Sequence, residues 1–270
     1  MKLFLFICLI PFYAFSQTNC DSLYEARDQG EEKTKEALSC YESILVEATS
    51  RESQAHILNQ MGYLKFFMAE LFSDNKAQTL FEGMELSERS VLLFGPKYSL
   101  SDYRLLLPEE IKLLAVALYN YGLNTSRYVD MMGTFEALKR MGDIKKSMSS
   151  IMRIKEEATA HWGAHRTMGI FHTKVPSIAG GDMNLAKDFL LKALEMTIYK
   201  NGVSTYPSNN LAYSDWLYKS NKFNEACEQL NRVAALTDGD ISAMDNGLYL
   251  ETKTDVQKAK ELFVTRQCSN

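Results

Sequence analysis

A small residue followed four positions later by a large apolar one recurs five times, at Ala37/Tyr41, Ala77/Phe81, Ala186/Leu190, Ala226/Leu230 and Ala259/Phe263. Nothing else constrains the fold as much. On an α-helix such a pair shares one face, where the alanine lets a second helix come close and the larger side chain fills the space beside it. The steps from Ala37 to Ala77 and from Ala186 to Ala226 are each 40 residues, and the last, to Ala259, is 33. That last step is close to the roughly 34-residue tetratricopeptide period. Repeats of this size bury their apolar faces by stacking on their neighbours.

The rest of the chain agrees with a helical repeat. Apolar or small residues return at intervals of three and four, as in Leu86, Ser90, Leu93 with Val91 and Phe94, or Ile111, Leu114, Ala115 and Leu118, which lays a single stripe along a helix. Runs that alternate apolar and polar residues are almost absent. Pro108 followed by Glu109 and Glu110 marks a helix start, because proline suits the first helical position and acids suit the positive end of the dipole. The pattern predicts helices near 21–29, 31–48, 51–72, 74–94, 108–124, 126–140, 143–158, 160–175, 183–198, 205–220, 222–236 and 254–266. Breaks are expected at Gly30, Gly95-Pro96, Gly142, Pro176, Gly180-Gly181 and Gly202. The expected architecture is all-α, a tetratricopeptide-like stack of antiparallel helix pairs with no sheet, forming one domain over residues 17–270. Residues 96–175 break the period yet hold Tyr98, Tyr103, Tyr119, Tyr121, Tyr128, Phe135, Trp162 and Phe171, so a cleft is expected there.

The N-terminus reads as an export signal. Lys2 precedes an apolar run over residues 3–15, and Ala14 and Ser16 place small residues at a cleavage site before Gln17. The run is too short for a membrane span of about 20 residues. A lipid anchor on Cys20 is disfavoured by Asn19 before it, since attachment wants a small residue there. The expected product is an exported chain, periplasmic or secreted.

Removal of the signal leaves Cys20, Cys40, Cys227 and Cys268. An even count in an exported chain points to disulfides, for which four cysteines allow three connectivities. Cys20 and Cys40 each lie ten residues from Gly30. In a hairpin turning at Gly30 they would face each other, which favours Cys20–Cys40 and leaves Cys227–Cys268. None of the spacings resembles a zinc-binding pair. The formal charge of −4 gives no reason to expect nucleic acid or an anionic membrane as partner.

The chemistry-bearing residues concentrate in residues 160–182. His161, His165 and His172 fall on one helix face. His165 and His172 are seven residues apart, about 10 Å along the axis, too far to share an ion held by bonds near 2 Å. The same face carries Ala164, Met168, Phe171 and Val175, so the histidines read as flanking a core and no metal or cofactor is expected. Gly180-Gly181-Asp182 lacks both the Walker lysine and the GxGxxG spacing, and Asp182 reads as an N-cap. No serine, threonine or cysteine has a recognisable base and orienting acid, so an enzyme is not expected.

Residues Gly163-Ala164-His165-Arg166-Thr167-Met168-Gly169, then Pro176, Gly180-Gly181-Asp182, Ala186 and Ala193, resemble the T-component proteins associated with TRAP transporters. The likeness continues in Ser208-Asn209-Asn210-Leu211-Ala212 and Asn224-Glu225-Ala226. It reaches back to Leu114-Ala115-Val116-Ala117-Leu118-Tyr119 with Asn124, about two thirds of the chain. The resemblance implies an all-α, tetratricopeptide-like periplasmic protein without catalytic activity. It further implies an accessory that contacts the solute-binding protein of a TRAP-type transporter, another envelope protein, or a small hydrophobic ligand. The alternative is a generic scaffold for some other envelope assembly, and self-association into a homo-oligomer fits either. Trp162, His165, Arg166 and His172 are the expected ligand- or partner-binding residues.

Overall fold

The computed structural model describes residues 12–95, 105–154, 161–244 and 247–268, with side chains from residue 17 onward except at His161. The described residues form α1 (Phe12–Glu25), α2 (Glu31–Leu45), α3 (Arg51–Leu71), α4 (Lys76–Leu92), α5 (Pro108–Met132), α6 (Thr134–Arg153), α7 (His161–Lys174), α8 (Met183–Glu195), α9 (Ser208–Lys219), α10 (Phe223–Ala234), α11 (Asp238–Ala243) and α12 (Tyr249–Thr265). Short 3₁₀ turns lie at Ala26–Gln29 and Ser177–Ala179. Among the described residues the nearest approach to a sheet is an isolated bridge between Ile198 and Ser204. The fold is an all-α helical repeat.

Helix ends are set by their caps. Ser50 accepts the Ser53 N–H at 3.0 Å to open α3. Asp182 accepts the N–H groups of Asn184 and Leu185 at 2.8 and 3.1 Å to open α8, the N-cap role expected of it. Pro108 takes the first position of α5, and Glu110 folds back to accept the Leu107 N–H at 2.8 Å.

Adjacent helices pack in pairs, α1 on α2, α3 on α4, α5 on α6, α7 on α8 and α9 on α10. The odd-numbered helices also pack in succession, α3 on α5, α5 on α7 and α7 on α9, and so form an inner row. A core runs between the rows, through Tyr41, Ile57 and Leu64, then Leu114, Leu118, Met148 and Ile151, then Leu190, Trp216 and Leu217, to Leu230, Val233 and Ala259. The small–large pairs at Ala37/Tyr41, Ala186/Leu190 and Ala226/Leu230 are fully buried. Ala77/Phe81 is not: both residues are only partly buried, and Leu80 and Met84 carry the core face of α4. The first 40-residue step is thus a match of letters and not of structural register.

The middle of the chain also departs from expectation. In place of helices over 108–124, 126–140 and 143–158 there are two long ones, α5 and α6. Asn124 and Thr125 do not break α5, because both are buried and bonded. Asn124 Nδ2 donates to Gly62 O at 3.1 Å, and Thr125 donates to Tyr121 O at 2.6 Å. The break falls at Gly133, whose φ of +86° suits glycine. Gly142 lies inside α6. Near the C-terminus the pattern missed α11, opened by Thr237 accepting the Asp240 N–H, and began the last helix at 254 where α12 begins at Tyr249.

The expected signal segment lies outside the described residues up to residue 11, and α1 runs through the Ser16–Gln17 junction. Both disulfides form, Cys20–Cys40 with Cα atoms 5.5 Å apart and Cys227–Cys268 with 5.6 Å. They indicate an oxidising, exported environment. No helix among the described residues is long and apolar enough to cross a membrane.

Candidate functional site

The last helix returns along the inner row. Its C-terminal half packs on α9 and α10 and is tied to α10 by Cys227–Cys268. Arg266, on the turn that ends it, pairs with Asp215 of α9. Its start reaches the first helices. The Tyr249 N–H donates to Asp28 Oδ2 at 2.8 Å, Arg27 donates to Gly247 O, and the Tyr63 hydroxyl donates to Glu251 at 2.8 Å. Glu251 and Asp255, one turn apart, therefore face the odd-numbered helices.

Two groups of side chains meet beneath α12. The first is Tyr24, Arg27, Asp28, Tyr63 and Glu251. The Arg27 guanidinium lies 4.4 Å from the Tyr24 ring centre and 5.7 Å from that of Tyr63, a cation–π arrangement. Burial pushes the Glu251 carboxyl up to about 7 against the opposing pull of the Tyr63 hydroxyl and Arg27. Burial also raises the Tyr24 and Tyr63 phenols. Arg27 Nε, Asp28 Oδ1 and Glu251 Oε2 are buried with no hydrogen-bond partner among the described residues, an accumulation that ordinary packing avoids.

The second group contains the sequence-predicted residues Trp162 and Arg166. Trp162 stacks on Tyr206, ring centres 3.7 Å apart and planes within 16°, and meets Tyr119 at 6.3 Å. Arg166 lies over the Trp162 ring at 5.1 Å. It donates to the Tyr119 hydroxyl at 3.1 Å and to Ser208 Oγ. Asp255 completes the group: burial pushes its carboxyl up to about 6, while Arg166, Lys258 and the Ser208 N–H at the start of α9 pull it down. A Cβ at Gly163 would run into the Tyr119 ring, and one at Gly169 into Leu190. The motif glycines are close-approach points that seat α7 against α5 and α8.

His165 and His172 lie elsewhere. Both meet Phe189 of α8, His165 edge-on at 5.9 Å and His172 stacked at 5.8 Å. His172 is buried and its pKa is lowered, first by burial and then by Lys145. The helical wheel accounts for the split: Trp162 and Arg166 point to the inner row, while His165 and His172 sit about a quarter turn round. His161 has no described side chain. No three of His, Cys, Asp and Glu come together as a metal-binding group among the described residues.

A separate hollow of about 410 Å³ is lined by Ser53, His56, Glu52, Glu109 and Lys112, among others. His56 Nε2 lies 2.9 Å from Asp21, which also accepts the Tyr41 hydroxyl at 2.5 Å. Ser53 Oγ is buried and bonds nothing among the described residues, so this set lacks the serine–histidine contact of nucleophilic catalysis.

Ser208 lies within the motif that carries the resemblance, but Tyr24, Arg27, Asp28, Tyr63, Tyr206, Glu251 and Asp255 are site residues that the sequence reading missed. For the last two a signal existed: carboxylates four apart, each followed by a residue that proves buried, Thr252 and Val256. Starting the helix at 254 concealed it. Comparison with protein-family models and with curated proteins gives no match.

Proposed function

We propose that the chain is a non-enzymatic helical-repeat accessory of a TRAP-type solute transport system. In this reading it works in the periplasm after removal of residues 1–16 and binds a partner protein or small hydrophobic ligand through the Trp162–Arg166 cluster. One observation carries the reading. The two motif segments behind the resemblance, residues 163–169 and 208–212, are brought together by the bond from Arg166 to Ser208, beside the Trp162–Tyr206 stack. Large rigid rings beside an arginine bind partners at low entropic cost. The alternative, a generic scaffold for another envelope assembly taking a peptide along its inner row, is less favoured because it gives no account of the two motif segments that meet at Arg166 and Ser208.

The test is affinity capture from the native envelope with the mature chain as bait, alongside Trp162→Ala and Arg166→Lys variants checked by circular dichroism. The expected outcome is capture of a transporter's solute-binding protein, weakened by both substitutions while helicity is kept. Equal capture by folded variants, or capture only of proteins unrelated to transport, would overturn the proposal.

A further inference from the structure

The overall negative charge hides a cationic, carboxylate-free arc on α6. Taken at about 100° per residue, Phe135, Leu138, Lys139, Gly142, Lys145, Lys146, Ser149 and Arg153 fall within about a third of the helix circumference. The opposite side, through Ile144, Met148 and Ile151, is buried against its neighbours. The two acids of α6 lie on its flank and are engaged there. Glu136 accepts from Arg140 Nε at 2.5 Å, with Lys139 3.9 Å away, and Asp143 accepts the Tyr121 hydroxyl at 3.2 Å. Beyond the tip, Asp130 is neutralised by Lys174 at 2.6 Å and Arg127 at 3.6 Å.

At the N-terminal end of this arc, where α5 turns into α6 at Gly133, four large apolar side chains stand in solvent: Met131 (50% exposed), Met132 (51%), Phe135 (83%) and Leu138 (56%). Single exposed apolar residues are ordinary, but four of them between residues 131 and 138, at one turn between two helices, are not. The whole arc, from Phe135 to Arg153, is about 27 Å long at 1.5 Å per residue.

We propose that the outer face of α6, led by the Met131–Met132–Phe135–Leu138 corner, docks on an anionic lipid surface. Apolar residues that enter the acyl boundary, backed by lysine and arginine at headgroup level, are the makings of interfacial binding. The corner is the reason to choose lipid over an acidic protein. Phe135 projects almost wholly into solvent, so a flat protein surface could not cover it without a matching pocket, whereas a bilayer yields around it. The face belongs to the outer row and is independent of the Trp162–Arg166 cluster.

The test is sedimentation of the purified chain with vesicles of phosphatidylcholine alone and of phosphatidylcholine mixed with phosphatidylglycerol, at low and high salt. Binding is expected to the anionic vesicles only and to fall as salt rises. Each cation near such a surface strengthens binding roughly fivefold, so Lys139→Gln with Lys145→Gln lowers affinity about 25-fold, and Lys→Arg changes at the same positions preserve it. Phe135→Ser with Leu138→Ser weakens binding at every salt concentration while the circular dichroism is unchanged. No binding to anionic vesicles at low salt, or binding indifferent to both pairs of changes, would overturn the proposal. So would tight binding of soluble polyglutamate that Phe135→Ser leaves untouched, which would make this a protein-docking face.

Discussion

Glu251→Gln tests how α12 is held against the inner row. In the folded chain the Glu251 carboxyl is pushed from 4.5 up to about 7, chiefly by burial. The folded state therefore holds this proton more tightly than the unfolded chain. The associated stability is complete below about pH 4.5 and is lost as pH rises through about 7. The shift corresponds to about 3 kcal/mol at 1.36 kcal/mol per unit, and partial solvent access reduces it to about 2–3 kcal/mol. Glutamine keeps an acceptor for the Tyr63 hydroxyl, 2.8 Å away, and carries no charge to desolvate. The variant is expected to match the wild type near pH 4 and to exceed it by about 2–3 kcal/mol near pH 9, roughly 2–4 °C in Tm for each kcal/mol in a chain of this size. Urea and thermal unfolding followed by circular dichroism across that range measure it. Parallel stability curves for the two proteins, or a variant weaker than wild type at alkaline pH, would refute the reasoning. Asp255, pushed from 3.8 up to about 6, adds its own decline between those values, overlapping the lower part of the Glu251 window, and remains in the variant as a residual slope.

Serine at Cys227 and Cys268, which close a loop with a sequence separation of 41, should cost about 3–4 kcal/mol in denaturant unfolding. Non-reducing peptide maps should show both native pairs in the wild type. Gly163→Ala drives a methyl into the Tyr119 ring and should cost about 1–3 kcal/mol, with a change in near-ultraviolet dichroism as the Trp162 environment shifts. Ala186→Leu should destabilise by about 1–3 kcal/mol, whereas Ala77→Leu should stay within about 0.5 kcal/mol. Equal effects in thermal melts would restore the 40-residue step at Ala77.

The fold was legible because helical periodicity and caps are local. Pro108, Asp182 and the buried alanines at 37, 186, 226 and 259 act where the sequence places them. The Cys20–Cys40 bridge was legible for the same reason, since one hairpin brings the two together. Failures came where a distant partner overrode a local cue. Asn124 resembles a helix breaker until Gly62 O accepts its amide proton, and Phe81 resembles core until it is found beside Tyr128 at 5.8 Å. The candidate site was half legible. Trp162 and Arg166 stand on one face of one helix, but Tyr206 and Ser208 join them through the packing of α7 on α9, and Asp255 through the return of α12, contacts that periodicity does not encode.

A stacked helical repeat is normally open-ended: each unit touches only its neighbours, so units can fray singly and the array can gain or lose one at little cost. Here the start of α12 is fastened to Asp28, Arg27 and Tyr63, and its end to α10 by a disulfide. The first and last units thus share contacts, and fraying at one end must break bonds at the other. Unfolding should therefore proceed as one cooperative event where an open array would peel in stages. An inserted repeat would move Glu251 out of reach of Tyr63, so the number of units in this chain is fixed by its closure.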